Sequence, residues 1–299
     1  MRKSSMGGAM LIVAATLIWG IGIIALSEGM RYMGPLTLTS VRFLIGGFAA
    51  LGPAIYFSRK NVTRTQEAKK LSGVIKAGII CGTALLLSVA LRQVAFLYSS
   101  IGRISFITSL FVIIVPIAGL IFGRKVPKKV WVGVFISLCG MYFLGFSGGM
   151  VLNIGDVMAL ICAFLFASHI LLIDRFAKSY DALMMTCIQA LTAGVFLLAL
   201  ALIFESPSIS EIFNGLWYIL YAGIMSSFVA PMLQIRAQRT VDPAIASILF
   251  SLEAVFSTIV AGLVLSEILS PREVLGCALL LAAVIISQLP LSSASYTKH

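Results

Sequence analysis

Ten long apolar runs constrain this chain more than anything else in it. They lie near residues 7–26, 36–57, 73–92, 100–122, 130–147, 156–175, 181–204, 214–235, 243–265 and 272–291. A bilayer core about 30 Å thick is crossed by roughly 20 helical residues rising 1.5 Å each, so every run has the length of a span. Barrel strands of about 9–11 residues alternate polar with apolar side chains, and these runs are twice as long and apolar all round. Charged residues are only 11% of the 299 residues, against about a quarter in soluble domains. Short loops and tails leave no room for a soluble catalytic domain. The first run follows Arg2 and Lys3, but it exceeds a signal peptide's apolar core and has no small-residue cleavage site, so it reads as a retained helix.

The runs fall into two sets of five. At an offset of 143, Gly119, Leu120, Gly133 and Leu138 meet Gly262, Leu263, Gly276 and Leu281; near 147, Gly8 and Gly47 meet Gly155 and Gly194. Five is odd, so a second copy enters the bilayer from the opposite side. Inverted repeats recur in secondary transporters, with the solute site at their interface. The expected fold is an all-α membrane protein of ten transmembrane helices, with inverted five-helix repeats over residues 1–147 and 148–299.

A net charge of +11 would point to nucleic acid in a soluble protein, but in a membrane the distribution of cations matters more, because basic loops stay cytoplasmic. With the N-terminus inside, 16 of the 22 Lys and Arg residues fall on the cytoplasmic side and Arg31, Arg92 and Arg272 on the other. Both termini are therefore expected to be cytoplasmic. Equivalent loops also carry opposite charge. Arg59, Lys60, Arg64, Lys69 and Lys70 stand where the second copy has Glu205 and Glu211, and Arg124-Lys125-Val126-Pro127-Lys128-Lys129 stands opposite Glu267-Ile268-Leu269-Ser270-Pro271-Arg272. This is the pattern that holds two copies in opposite orientations.

Ionisable groups inside spans are expensive and mark candidate sites. Glu253 sits at the midplane of its run; Arg103 lies roughly 12 Å and Arg42 roughly 7 Å to one side, and His169 roughly 6 Å to the other. Glu253 matches Leu110, one heptad after Arg103, so Arg103 and Glu253 are expected on equivalent faces of related helices. Structural roles compete with functional ones. Arg42 and Glu253 can simply pair within the bundle, Arg103 can snorkel, and His169 can donate to a neighbouring carbonyl. Lys76 and Arg92 stand near span ends and read as snorkelling. Gln189, the match of Arg42, and Gln234 serve as helix–helix glue or cavity lining. Trp19 is too deep for an interfacial belt.

Pro116 and Pro231 match Ile259 and Ser88, so proline predicts no matched helix interruption. The five cysteines sit in apolar runs without metal spacing, and neither disulfide, metal nor cofactor is expected. Gly145-Phe146-Ser147-Gly148-Gly149 spells G-x-S-x-G, but a nucleophile elbow requires a strand–turn–helix context that this sequence lacks.

Several fragments resemble the ten-helix EamA-type permeases of the drug/metabolite transporter superfamily. These are Ile18-Trp19-Gly20, Arg42-Phe43, the stretch from Ala95 to Leu110, Leu252-Glu253-Ala254-Val255-Phe256 and Leu265-Ser266-Glu267. Ala254, Ser266 and Arg103 depart from the usual Pro, Gly and small or amide residue. The resemblance implies movement of small metabolites, amino acids among them, commonly outward.

Together these readings give a non-enzymatic permease, one half rocking against the other around a central cavity. Trp19, Arg42, Arg103, His169, Gln189 and Glu253 are its expected solute-binding residues. Its expected partners are a small solute and the bilayer, with no nucleic acid, in a monomer or homodimer. The alternatives are a scaffold or sensor without flux and, further off, an intramembrane hydrolase.

Overall fold

The computed structural model describes residues 6–58, 64–145, 152–265 and 269–288. Arg2, Lys3, Arg59, Lys60 and Lys298, the serine of the G-x-S-x-G stretch, Ser266-Glu267 and the expected repeat boundary lie outside them. The described residues hold helices and turns only. Ten helical spans are long and apolar enough to cross a membrane: α1 (Met6–Gly29), α2 (Pro35–Tyr56), α3 (Leu71–Ala95), α4 (Gly102–Ile121), α5 (Lys128–Gly145), α6 (Ile154–Phe176), α7 (Ala182–Phe204), α8 (Leu216–Gln238), α9 (Pro243–Val264) and α10 (Pro271–Gln288).

Side-chain oxygens define several helix starts. Asn153 caps α6 in a reciprocal box with Asp156, Asp181 accepts from the amides of Leu183 and Met184, and Asp242 caps α9 just before Pro243. α2 is capped from elsewhere in the chain. The Glu205 carboxylate, at the end of α7, accepts from Leu36 N at 2.8 Å, Thr37 N at 2.7 Å and Thr37 Oγ1 at 2.8 Å. These are the amides that a helix start leaves without partners.

Neighbouring helices run in the order α4, α6, α3, α7, α2, α8, α1, α9, with α5 against α10 joining the two ends. Exchanging each helix with the one five places along the chain maps this order onto itself. Close contacts repeat the relation. A Cβ on Gly47 would sit 2.6 Å from Leu191 Cδ2, and one on Gly194 would sit 2.9 Å from Leu44 Cγ; Leu44 and Leu191, like Gly47 and Gly194, are 147 residues apart. Likewise a Cβ on Gly133 would meet the Ala283 carbonyl at 3.3 Å and one on Gly276 the Gly140 carbonyl at 2.9 Å, again at an offset of 143. Small residues let backbones touch where lipid supplies no hydrophobic drive between helices. The order also interleaves the two sets of five, so the expected rocking of one intact half against the other has no seam to follow. Any moving body must draw on both halves.

Two spans are interrupted at matched places, contrary to the expectation drawn from proline. α4 consists of Ile101–Thr108 and Phe111–Ile121, and α9 of Pro243–Phe250 and Leu252–Leu265. A serine hydroxyl bonds back to the preceding turn at each break. Ser109 Oγ donates to Phe106 O at 2.5 Å and Ser251 Oγ to Ile248 O at 2.6 Å, and such back-bonding competes with the helical ladder and bends it. α8 departs differently: Tyr221–Val229 is a π-helical stretch, a local widening often found at functional sites.

Candidate functional site

The central cavity lies where α1, α2, α3, α6, α8 and the two interrupted helices converge. Its volume is about 90 Å³, several times the roughly 10–15 Å³ that one water needs on such a measure. Trp19, Arg42, Arg92, His169, Gln234 and Glu253 supply its polar groups, and Phe43, Phe111, Phe166 and Phe250 much of its apolar wall.

The π-helical stretch holds two of these side chains. Trp19 Nε1 donates to the Ser226 carbonyl at 2.9 Å, while Tyr221 Oη donates back to Ile18 O at 3.0 Å. Ser227 Oγ donates to Ala222 O, five residues earlier, and accepts from Arg42 Nη1 at 3.0 Å. The Arg42 guanidinium lies 4.2 Å from the Phe43 ring centroid and is 4% exposed, and its Nε has no hydrogen-bond partner. Arg92 reaches Glu253 across the cavity, Nη1 to Oε1 at 3.5 Å, with its guanidinium 5.2 Å from the Phe166 centroid. His169 Nε2 stands 3.3 Å from Gln189 Oε1, and Gln189 Nε2 has no partner.

Four of the expected site residues, Trp19, Arg42, His169 and Glu253, therefore share the cavity. Gln189 stands behind His169 rather than on the wall. Arg103 is elsewhere, so its expected common face with Glu253 does not form. Its Nε and Nη2 grip Asp156 Oδ1 and Oδ2 at 2.8 and 2.6 Å, at the start of α6. Asp156 is also the acceptor of the α6 capping box, so a cap residue draws Arg103 aside. At the other end of the same helix pair, Arg124 Nη2 meets buried Asp174 at 2.7 Å. The cation missed by sequence reasoning is Arg92. It looked like a span-end residue because the apolar run stops there, whereas the helix continues to Ala95.

Two further cavities continue from the central one. A narrow space of about 40 Å³ shares Arg92, Thr108, Phe111, Phe250 and Glu253 with it. That space shares Ile23, Ser105, Met141 and Ala254 with an outer vestibule of about 300 Å³, at the face where α1, α5 and α9 end and α4 and α10 begin. The interruptions of α4 and α9 border the narrow space. Toward the opposite face, an apolar cluster including Ile12, Ala167, Ile170, Val241, Ile245 and Ile248 fills the bundle. There Gln234 donates to Gln238, which in turn donates to Ile170 O.

Ten apolar spans around a polar, charged cavity define a multi-pass membrane protein of the solute-transporting class. The model of the EamA-like transporter family matches residues 6–146 and again 153–289, and the chain belongs to that family. The chain is therefore a membrane transporter, not an enzyme. An uncharacterized transporter of Archaeoglobus fulgidus is 29% identical over 282 residues, covering 93% of this chain and 84% of that protein. The uncharacterized inner membrane transporter YedA of Escherichia coli is 26% identical over 281 residues, covering 92% and 88%. One solved crystal structure superposes with a TM-score of 0.78 at 18% identity, over 97% of this chain and 99% of that one, which shows the fold alone.

Proposed function

We propose that this transporter exports amino acids or similar carboxylated solutes by alternating access, through two inverted five-helix repeats (residues 1–147 and 148–299) with both termini cytoplasmic. The observation that carries the solute class is the charge of the central cavity. Arg42 and Arg92 face a single carboxylate, Glu253, and Arg42 keeps a buried Nε without a partner. A buried charge is tolerated when it is paired and hydrogen-bonded, and a solute carboxylate supplies the missing group. The cavity's aromatic walls suit an apolar side chain.

Access from one face only supports alternation: a chain of cavities leads to the vestibule, while apolar packing closes the other side. The matched serine breaks in α4 and α9 are natural flexing points beside that path. Opposite loop charges and the self-mapping helix order support the inversion, and the excess of cytoplasmic Lys and Arg supports the orientation.

The test is flux in proteoliposomes against a panel of amino acids and other small carboxylates. Arg42→Gln is expected to lower flux of the transported solute at least tenfold while the protein stays inserted. Unchanged flux in that variant removes the carboxylate reading.

A further inference from the structure

Three ion pairs tie separate segments of the bundle together, and one is built unlike the others. Arg103 grips Asp156 with two nitrogens at 2.8 and 2.6 Å, and Arg124 holds Asp174 at 2.7 Å; both aspartates are almost fully buried, with side chains 2% and 3% exposed. Arg92 and Glu253 meet through one long contact of 3.5 Å, and their side chains are 19% and 22% exposed. The first two are staples. The third is a loose pair whose members both face open space.

Its position is as distinctive as its geometry. Arg92 and Glu253 line the central cavity and also the narrow space that connects it to the vestibule. Both groups therefore stand between the central cavity and the vestibule. A pair at such a neck is opened most cheaply by something that replaces both halves at once. Removing one partner from a partly buried pair leaves the other charge uncompensated, which is unfavourable. A monoanion would take Arg92 from Glu253 and leave it only Arg42, which is already tied to Ser227; a monocation would take Glu253 from Arg92. An α-amino acid carries ammonium and carboxylate on one carbon, so it can offer one group to each side chain as the pair opens.

We propose that Arg92 and Glu253 form a charge-exchange neck that selects α-zwitterions. The solute's carboxylate takes the place of Glu253 at Arg92 while its ammonium takes the place of Arg92 at Glu253. This rests on the reading that the cavity takes carboxylated solutes, and it sharpens that class to those carrying both charges. Arg42, deeper and already tied to Ser227, attracts the carboxylate in either case. Zwitterion selection belongs to the neck pair alone.

The experiment measures binding by thermal shift of the purified full-length protein. The probes are a panel of α-amino acids, each with its deaminated carboxylate and its decarboxylated amine. Wild type is expected to bind its preferred amino acid at least tenfold more tightly than either counterpart. Glu253→Gln is expected to shift the preference toward the carboxylate and Arg92→Gln toward the amine, each changing the ratio at least tenfold. The swapped protein R92E/E253R keeps both charges and is expected to keep the zwitterion preference, which separates loss of selection from loss of folding. If a carboxylate binds but the zwitterion-to-carboxylate ratio is the same in wild type and Glu253→Gln, the neck proposal falls and the carboxylate reading survives. If no carboxylate or amino acid binds wild type, both fall.

Discussion

Replacing Arg103 by leucine separates two accounts of this residue. Placed with Glu253 on a cavity face, Arg103 would matter for flux and little for stability. Its actual partner is Asp156, gripped through two charge-assisted hydrogen bonds at 2.8 and 2.6 Å with a side chain 2% exposed. Removing one member of a buried pair costs roughly 3–5 kcal/mol, because the other charge stays behind without compensation. At a few degrees per kcal/mol for a chain of this size, unfolding should move down by about 10 °C. The assay is thermal unfolding in detergent, followed by the fluorescence of the three tryptophans. Adding Asp156→Asn removes the stranded charge while keeping an acceptor for the Asn153 amide, and should recover about half of the loss. Flux per folded molecule should stay within twofold of wild type in both variants. A loss below 1 kcal/mol, or flux abolished in well-folded protein, would refute the staple and return Arg103 to the solute path.

Two other perturbations test the packing. A Cβ at Gly46 would lie 2.7 Å from the Gly223 carbonyl, so Gly46→Ala should cost roughly 1–3 kcal/mol by forcing α2 from α8, whereas Gly52, with nothing within 4 Å, should accept alanine at no loss. Glu205→Ala should cost roughly 2 kcal/mol by uncapping α2, read as a lower unfolding temperature without altered solute preference.

The ten spans and their class were legible because a bilayer demands length and apolarity, and both are written in composition. The repeat was legible in its glycines: Gly47 and Gly194, and Gly133 and Gly276, make equivalent contacts at helix crossings. Trp19, Arg42, His169 and Glu253 were legible as costly groups within apolar runs. What could not be read was pairing. Helical periodicity puts Arg103 on a face equivalent to that of Glu253, but nothing in the chain announces that a capping residue 53 positions later will claim it. Arg92 was hidden because a helix outlasts its apolar run. The interruptions escaped because proline was the expected breaker, and serines bonded back to the preceding turn also stand in unbroken helices, Ser40 and Ser287 among them.

The staples between α4 and α6 have a consequence for a carrier that works by exchanging the roles of its two repeats. The exchanged pair is α9 with α1, where the counterparts of Arg103 and Asp156 are Ala246 and Ala9. The tie exists on one side of the pseudo-symmetry axis only, so symmetry does not make the two end states of the cycle isoenergetic. Each 1.4 kcal/mol of imbalance between them shifts the resting ratio about tenfold. The empty carrier is therefore free to favour one end state. An asymmetric ion pair outside the binding site thus bears on the resting population without touching the solute.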